Sequence, residues 1–191
     1  SKMGYQVEWR LVQASDHGVS QLRPRVLFVG VQRNIAEAFQ WPKPQPTPPP
    51  TVGEVLLDLM SARNWKGALA WKQKANRIAP TLVGGSKKHG GPDLGPTRAR
   101  KAWEALGVDG RGLWDQAPEP DFEGLPRLTA PMTARLQGFP DSWVITGRKT
   151  AAYRQIGNAF PPPVAQAVGQ QLMEALNAGA SRRVSLHLKA S

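Results

Sequence analysis

The stretch Gly18-Val19-Ser20-Gln21-Leu22-Arg23-Pro24-Arg25-Val26 lies between two segments with strand patterns. Residues 5–13 alternate apolar and polar side chains, which is typical of a half-buried strand. Val26-Leu27-Phe28-Val29-Gly30-Val31 is continuously apolar, and such a run predicts a strand in a sheet covered on both faces. Residues 14–20 are of turn type. The N-terminal part of the chain is therefore predicted to be a pair of neighbouring strands.

Composition narrows the possible partners and chemistries of the chain. Of its 191 residues, 25 are Lys or Arg and 14 are Asp or Glu, which gives a net charge of +11. This balance favours a polyanionic partner, most simply nucleic acid, and a merely basic soluble protein is the alternative that charge alone leaves open. The chain has no cysteine, so disulfides, thiolate zinc sites and a cysteine nucleophile are excluded within it.

The middle of the chain changes character at a proline-rich segment. Residues 42–50 contain six prolines in nine residues and predict an extended linker. Thr51 and Glu54 have the spacing of a capping box, which predicts a helix with an apolar face from Val55 to Met60. The Gly-, Pro- and Trp-rich residues 63–126 predict short strands and loops.

Two further helices are predicted near the C-terminus. Thr129 can cap a short helix that has Pro131 in its first turn and Gly138 just past its end. Pro161-Pro162-Pro163 opens a last helix that Gly179 ends, followed by a loosely ordered tail. The chain shows no signal peptide and no run of roughly 20 apolar residues. We therefore expect a cytoplasmic protein without a membrane partner.

Three segments together resemble one family. Residues 18–26, with their Gln-x-Arg-x-Arg pattern, resemble an element of the DNA cytosine-5 methyltransferases. Arg127-Leu128-Thr129, followed by Arg135-Leu136-Gln137-Gly138-Phe139-Pro140-Asp141, is similar to that family's penultimate motif. Tyr153-Arg154-Gln155-Ile156-Gly157-Asn158-Ala159-Phe160-Pro161-Pro162 is similar to its final motif. Any one motif is weak evidence, but three in the family's order are specific. Residues 51–59 are a weaker echo of the segment that opens the family's recognition domain.

The resemblance implies an α/β fold. Part of it is the C-terminal portion of a Rossmann-like methyltransferase sheet, and part is a small, irregular, strand-containing DNA-recognition domain. The implied divisions are 1–35 (end of the catalytic domain), 36–50 (linker), 51–126 (recognition domain), 127–178 (closing motifs and final helix) and 179–191 (tail). The family's Phe-x-Gly-x-Gly donor loop, Pro-Cys-Gln nucleophile loop and Glu-Asn-Val element are absent from this sequence. Pro131 and Met132 stand where an Arg-Glu pair is common.

The resemblance also implies roles for particular residues. In the family, a thiolate attacks carbon 6 of a flipped cytosine, and carbon 5 then takes a methyl group from S-adenosylmethionine. Arg25 would donate to the exocyclic oxygen of the cytosine, and Arg23 would hold a phosphate or the reactive loop. Asn158 and Ala159 would contact the amino-acid end of the methyl donor. The alternatives are two surface arginines and a turn or cap asparagine.

The basic, glycine-rich residues 76–91 are candidates for DNA contact. Glycines let the backbone approach DNA, and lysines can bind phosphates. Within and after this stretch the candidate contacts are Thr81, Lys87, Lys88, Arg98 and Arg100. The alternative is a solvated loop, and we expect no metal site at His89.

The sequence therefore predicts part of a DNA cytosine-5 methyltransferase of a restriction-modification system. Its partners would be double-stranded DNA and an N-terminal half or subunit that carries the cysteine nucleophile. A natural split subunit, a fragment and a degenerate remnant all fit. Two rivals remain: a stand-alone DNA-binding module, and an endonuclease built on the acidic residues Asp109, Asp115, Glu119, Asp121 and Glu123, which lack the usual metal-site spacing.

Overall fold

The computed structural model describes residues 3–84 and 91–189, with side chains up to residue 180. Two strands, β1 (Tyr5–Gln13) and β2 (Pro24–Gln32), precede six α-helices in the described residues. The helices are α1 (Val52–Met60), α2 (Ala68–Lys74), α3 (Thr97–Glu104), α4 (Ala130–Leu136), α5 (Lys149–Asn158) and α6 (Pro162–Lys189). Short 3-10 helices cover Ala14–His17 and Ala36–Ala38.

Strands β1 and β2 form an antiparallel pair, as their sequence patterns predict. Directly paired residues share a face, and Trp9 pairs with Phe28. This face is open, because Trp9 and Phe28 are 64% and 72% exposed. On the other face, Val29 and Val31 are buried against residues of α6 and the 36–41 segment. The predictions of a half-buried β1 and of a β2 covered on both faces are therefore wrong for this chain.

The proline-rich linker forms neither helix nor strand and lies against the turn between the two strands. The Gln45 N–H donates to the Asp16 carbonyl at 2.7 Å, and the Ser20 hydroxyl donates to the Pro50 carbonyl at 2.7 Å. Since proline supplies no N–H, these contacts from neighbouring groups fix the path of the chain. These contacts therefore fix the position at which α1 begins.

Helices α1 to α4 enclose a second core. We call this part of the chain the recognition lobe, because the sequence predicts a recognition domain over most of it, and the strand pair with α6 the other lobe. Helix α1 begins at the predicted capping box, in which the Thr51 side chain accepts from the Glu54 N–H and the Glu54 carboxylate accepts from the Thr51 N–H. The largest side chains in this core include those of Leu56, Met60, Trp71, Trp103 and Tyr153. Tyr153 comes from α5, so the closing motifs pack into the same core as the recognition segment.

The prediction of short strands between residues 63 and 126 is wrong for the described part of that segment. It contains α2 and α3 and no strand, and regular pairing is limited to isolated bridges such as Trp114 with Thr129. Ala68, Trp71 and Ala75 recur at helical spacing and are all buried, which explains α2. The strand-containing recognition domain is thus corrected to a helical one over these residues.

The C-terminal helices follow the predictions at their starts and depart from them at their ends. Thr129 caps α4, and the Met132 sulfur accepts from the Thr129 N–H at 3.3 Å in the place of the expected Glu. Helix α5 was not predicted. Helix α6 begins at Pro162 but continues past Gly179 to Lys189, so both the predicted end and the loose tail are wrong. Gly179 instead allows close packing, because a Cβ there would overlap Ile35.

Among the described residues, no helix combines the length and the apolar character needed to span a bilayer.

Candidate active site

Gln21 is the centre of a buried hydrogen-bond cluster that joins both lobes. Its side-chain oxygen accepts from the Leu82 N–H at 2.7 Å, and its amide nitrogen donates to Gln137 Oε1 at 2.7 Å and to the Leu136 carbonyl at 3.3 Å. A buried amide with partners on both its oxygen and its nitrogen is rigidly oriented. Gln21 therefore ties the segment after β1 to the recognition lobe and to the end of α4.

Arg23 completes the same cluster and is 1% exposed. Its guanidinium donates to the carbonyls of Leu82 (2.6 Å), Gly157 (2.6 Å) and Ala159 (3.1 Å). Burial, and then the charge of Arg25, lowers the pKa of Arg23 to about 10. Protein groups engage both terminal nitrogens of this guanidinium, and its buried Nε–H has no partner among the described residues. Arg23 thus makes structural contacts in this chain, and its predicted role at a phosphate or at the reactive loop stays a prediction.

Arg25 lies two residues further along β2 and is partly exposed. Its side chain donates to the carbonyl of its neighbour Pro24 at 2.8 Å, and no acidic partner contacts it within the described residues. The structure thus separates the two arginines of the motif, one locked in the interior and one open. The predicted contact of Arg25 with the cytosine oxygen stays a prediction that this exposure permits.

Thr81 lies beside the Gln-x-Arg segment because residues 79–81 pair with residues 20–22. The Leu22 N–H donates to the Ala79 carbonyl and the Ala79 N–H donates to the Ser20 carbonyl, each at 2.8 Å. The Thr81 hydroxyl donates to the Leu22 carbonyl. This bond fixes the hydroxyl but leaves its oxygen able to accept, so a DNA contact by Thr81 stays a prediction.

Asn158 is the last residue of α5 and is exposed. Its carboxamide packs on Gly84, where a Cβ would come within 2.5 Å of Asn158 Oδ1. No hydrogen bond engages this amide among the described residues, so it can both donate and accept. Such a group fits the ammonium and carboxylate of the methyl donor's amino-acid end.

Ala159 offers less than predicted. Its carbonyl accepts from Arg23 at 3.1 Å and from Gln137 at 2.7 Å, and its N–H donates to the Gln155 carbonyl at 3.0 Å. Since these backbone groups are engaged inside the protein, a polar contact from Ala159 to the donor is not supported. Its place in the structure is in the Arg23 cluster.

The predicted DNA contacts do not form one group. Lys87 and Lys88 lie outside the described residues. Arg98 is exposed on α3, whereas Arg100 is half-buried, with its stem close to Gly110 and a hydrogen bond to the Thr97 hydroxyl at 3.3 Å. Helix α3 therefore presents Arg98 to solvent and uses Arg100 in its own packing.

The acidic residues considered for an endonuclease site are mostly engaged in ion pairs. The pairs are Asp109 with Arg111 and Arg127, Asp115 with Lys149, Glu119 with Arg63, and Asp121 with Lys66. Within the described residues these carboxylates do not gather into a group of three or more metal-type ligands. Asp115, Glu119 and Asp121 form exposed ion pairs, whereas the Asp109 side chain is largely buried.

Sequence reasoning missed Gln21 and Gln137 as the residues that assemble the site. Each is fully buried, although glutamine is mostly a surface residue. A signal was present, since one glutamine occurs in each of two distant motifs. Arg135 of the same motif makes structural contacts: it binds Asp58 at 2.5 Å and Asp141 at 2.6 Å and so joins α1 to the loop after α4.

Comparison with known proteins agrees with this arrangement of motifs. The family described as C-5 cytosine-specific DNA methylase matches residues 1–174. The chain belongs to this family. Among its relatives, the type II methyltransferase M.NaeI of Lentzea aerocolonigenes is 58% identical over 92% of this chain and 43% of its own length. M.NgoMIV of Neisseria gonorrhoeae is 51% identical over 92% of this chain and 56% of its own length.

Solved structures support an α/β methyltransferase fold for this DNA methylase chain. The S. pombe Dnmt2 methyltransferase has a TM-score of 0.54 at 15% identity, over 92% of this chain and 59% of its own. A DNA modification methyltransferase encoded within an E. coli prophage has a TM-score of 0.52 at 21% identity, over 92% and 62%. This chain spans about half the length of the curated relatives it matches.

Proposed function

We propose that this chain recognises a specific DNA sequence and positions the flipped cytosine in a DNA cytosine-5 methyltransferase. The nucleophile comes from an N-terminal half that this chain lacks. The observation that carries the proposal is the buried Gln21–Arg23 cluster. It joins the three segments that carry Arg25, Thr81 and Asn158, in a chain that contains no cysteine.

Arg25 stabilises the charge that develops on the ring. When the thiolate of the other half bonds to carbon 6, negative charge moves onto the cytosine and its exocyclic oxygen. A guanidinium stays charged at neutral pH and donates through a fixed fork, so it favours this state over the neutral base. A neighbouring buried cation, Arg23, holds the strand that carries Arg25 in place.

Asn158 would hold the methyl donor. S-adenosylmethionine, when bound, supplies an electrophilic methyl group. The Asn158 carboxamide can accept from the donor's ammonium and donate to its carboxylate. Because Asn158 packs on Gly84, this amide is oriented by the recognition lobe as well as by α5.

The open face of the β1–β2 pair is the proposed docking surface for the N-terminal half. Val7, Trp9, Leu11, Val26 and Phe28 share this face and are each more than half exposed. Contiguous apolar surface of this kind marks an interaction site. The outer edge of β2 is unpaired in the described sheet, and a groove of about 300 Å³ lies between β2 and α6. Since the chain spans about half of its relatives, the absent catalytic half is the matching occupant.

Residues 60–126 would choose the target sequence. The cluster side chains of Gln21, Arg23 and Gln137 belong to the flanking motifs, and Leu82 of this segment contributes only backbone groups to the cluster. The contacts with the cluster hold this lobe in place. Its other residues can therefore vary without moving Arg25, which faces the cytosine in this proposal.

An exchange experiment tests this function. In the complete enzyme, residues 60–126 are replaced by the equivalent segment of a relative with a different target, and methylated sites are mapped in duplex DNA. We expect the site to change to that of the donor of the segment. Replacing residues 42–50 with another proline-rich linker of equal length is the control and should leave the site unchanged. An unchanged site after the first exchange would assign target choice elsewhere, and DNA binding without methylation would favour the stand-alone binding module.

A further inference from the structure

A groove of about 540 Å³ lies where the Gln-x-Arg segment meets the recognition lobe. Its apolar lining includes Leu22, Ile78 and Pro80 on one side, and Ala102 of α3 and the C-cap residue Ala105 on the other. Leu22 is half exposed and adjoins Arg23, while Pro80 adjoins Thr81. The groove therefore opens beside the residues proposed to position the cytosine.

Three cations belong to the segments that form this groove. Arg77 lines it directly. Arg98 and Lys101 share the helix face of Ala102 and Ala105, since residues four and seven positions apart lie on one side of an α-helix. All three side chains are exposed. We call Arg77, Arg98 and Lys101 the α3 cationic face.

The α3 cationic face differs from four other cations of this lobe. Arg63, Lys66, Arg111 and Arg127 each bind a carboxylate. In the part of the chain that the structure describes, Arg77, Arg98 and Lys101 have no such partner. Among the described residues, Arg77, Arg98 and Lys101 therefore place positive charge without a carboxylate ion pair beside the groove.

We propose that this groove holds the sugar-phosphate backbone of the DNA strand next to the target cytosine, with Arg77, Arg98 and Lys101 on its phosphates. This inference rests on the proposed function, because it takes the DNA to lie at Arg25. Small side chains on α3 leave room for the backbone to approach, and the apolar floor suits deoxyribose. Contacts of this kind position the duplex but carry no sequence information. Arg77 and Lys101 thus position the DNA duplex on the protein, and other residues recognise its bases.

The salt dependence of DNA binding tests the proposal. The full-length enzyme and its Arg77→Gln, Arg98→Gln and Lys101→Gln variants are titrated with a target duplex and with a duplex that lacks the target. Each substitution should reduce the slope of log affinity against log salt by about 0.9, for both duplexes alike. Arg111→Gln is the matched control: it removes an exposed arginine of the same lobe that already binds Asp109, and it should leave the slope unchanged.

A charge pair on the groove wall gives a second readout. Ala102 is exposed within α3, and both Glu and Lys are good helix formers, so the fold tolerates either. Ala102→Glu should weaken binding to both duplexes, and Ala102→Lys should strengthen it.

The outcomes distinguish a failure of the groove proposal from a failure of the proposed function. Wild-type enzyme without salt-dependent DNA binding would contradict the proposed function itself. Wild-type binding with unchanged slopes in all three variants would contradict the groove alone. A loss confined to the target duplex would make these residues base readers and overturn the backbone assignment. Loss of assembly with the N-terminal half, at an unchanged slope, would assign the groove to a protein segment instead.

Discussion

The guanidinium of Arg23 lies 2.6 Å from the carbonyl oxygen of Leu82, in the interior between the two lobes. These residues are 59 positions apart in sequence, and the contact joins the start of β2 to the base of the glycine-rich segment. A hydrogen bond from a charged donor is stronger than a neutral one and costs more to break when it is buried. The relative position of the lobes therefore depends on this pair.

Arg23→Gln should destabilise the protein strongly. The substitution leaves the carbonyls of Leu82, Gly157 and Ala159 without their shared donor, at an expected cost of about 3 kcal/mol in the free energy of unfolding. Arg25→Gln is the matched control and should change that free energy by less than about 0.5 kcal/mol, because Arg25 is partly exposed. Urea unfolding measures both. Equal effects of the two substitutions would contradict the division into a structural and an open arginine.

Arg25→Ala should act on the reaction and not on stability. We expect the rate of methyl transfer by the complete enzyme to fall by roughly 100-fold or more, as for the loss of one charge-stabilising donor, with a much smaller change in DNA affinity. Single-turnover rates and binding titrations separate the two effects. Arg25→Lys keeps the charge but loses the fork, so it should recover the rate only in part. A full rate with Arg25→Ala would exclude Arg25 from catalysis.

Asn158→Ala should weaken binding of S-adenosylmethionine by about 10-fold, as for one hydrogen bond of roughly 1.4 kcal/mol. Gly84→Ala, although it lies in the recognition lobe, should weaken it as well, since its Cβ would come within 2.5 Å of Asn158 Oδ1. Gly91→Ala is the control, because a Cβ there meets nothing within 4 Å. Calorimetry on the full-length enzyme gives the donor affinity directly. Unchanged affinity in the Asn158 variant would assign the donor's amino-acid end to other residues.

Asp109 should make stability depend on pH in the acid range. Burial works against the charged form of this carboxylate, but hydrogen bonds from Arg111 and Arg127 prevail and lower its pKa from 3.8 to about 2. A carboxylate with a lowered pKa stabilises the fold fully above its unfolded pKa, and that stability is lost as the pH falls towards 2. Wild type should therefore melt above Asp109→Asn at pH 6, and the difference should shrink between pH 4 and pH 2. A difference that does not vary with pH would contradict the role of the charge.

Local signals predicted the parts of the fold that local interactions decide. Thr51 and Glu54 gave the start of α1, Thr129 the start of α4, and the proline run at 161–163 the start of α6, because caps and fixed φ angles act within one turn. Gly179 misled for a related reason. Glycine often ends a helix, but here it admits Ile35 at close range, which is a tertiary requirement that the local sequence does not show.

The sequence pattern does not indicate which polar residues are buried. Arg23 and Arg25 stand two residues apart in one motif, and alternation places them on the same side of the strand. Their environments differ because Leu82 and Gly157, which are 59 and 134 residues away in sequence, contact Arg23. Likewise, the alternating apolar residues of β1 predicted a buried face, yet Trp9 and Phe28 are exposed in this chain. Periodicity indicates that a face is apolar but not which segment covers it.

Transfer of a labelled methyl group from S-adenosylmethionine to target duplex DNA tests the central claim most directly. Three reactions are compared: this chain alone, the N-terminal half with its cysteine alone, and the two mixed. The account predicts no incorporation in the first two reactions and labelled 5-methylcytosine at one sequence in the third. Incorporation by this chain alone would contradict it, because the chain has no cysteine to attack carbon 6.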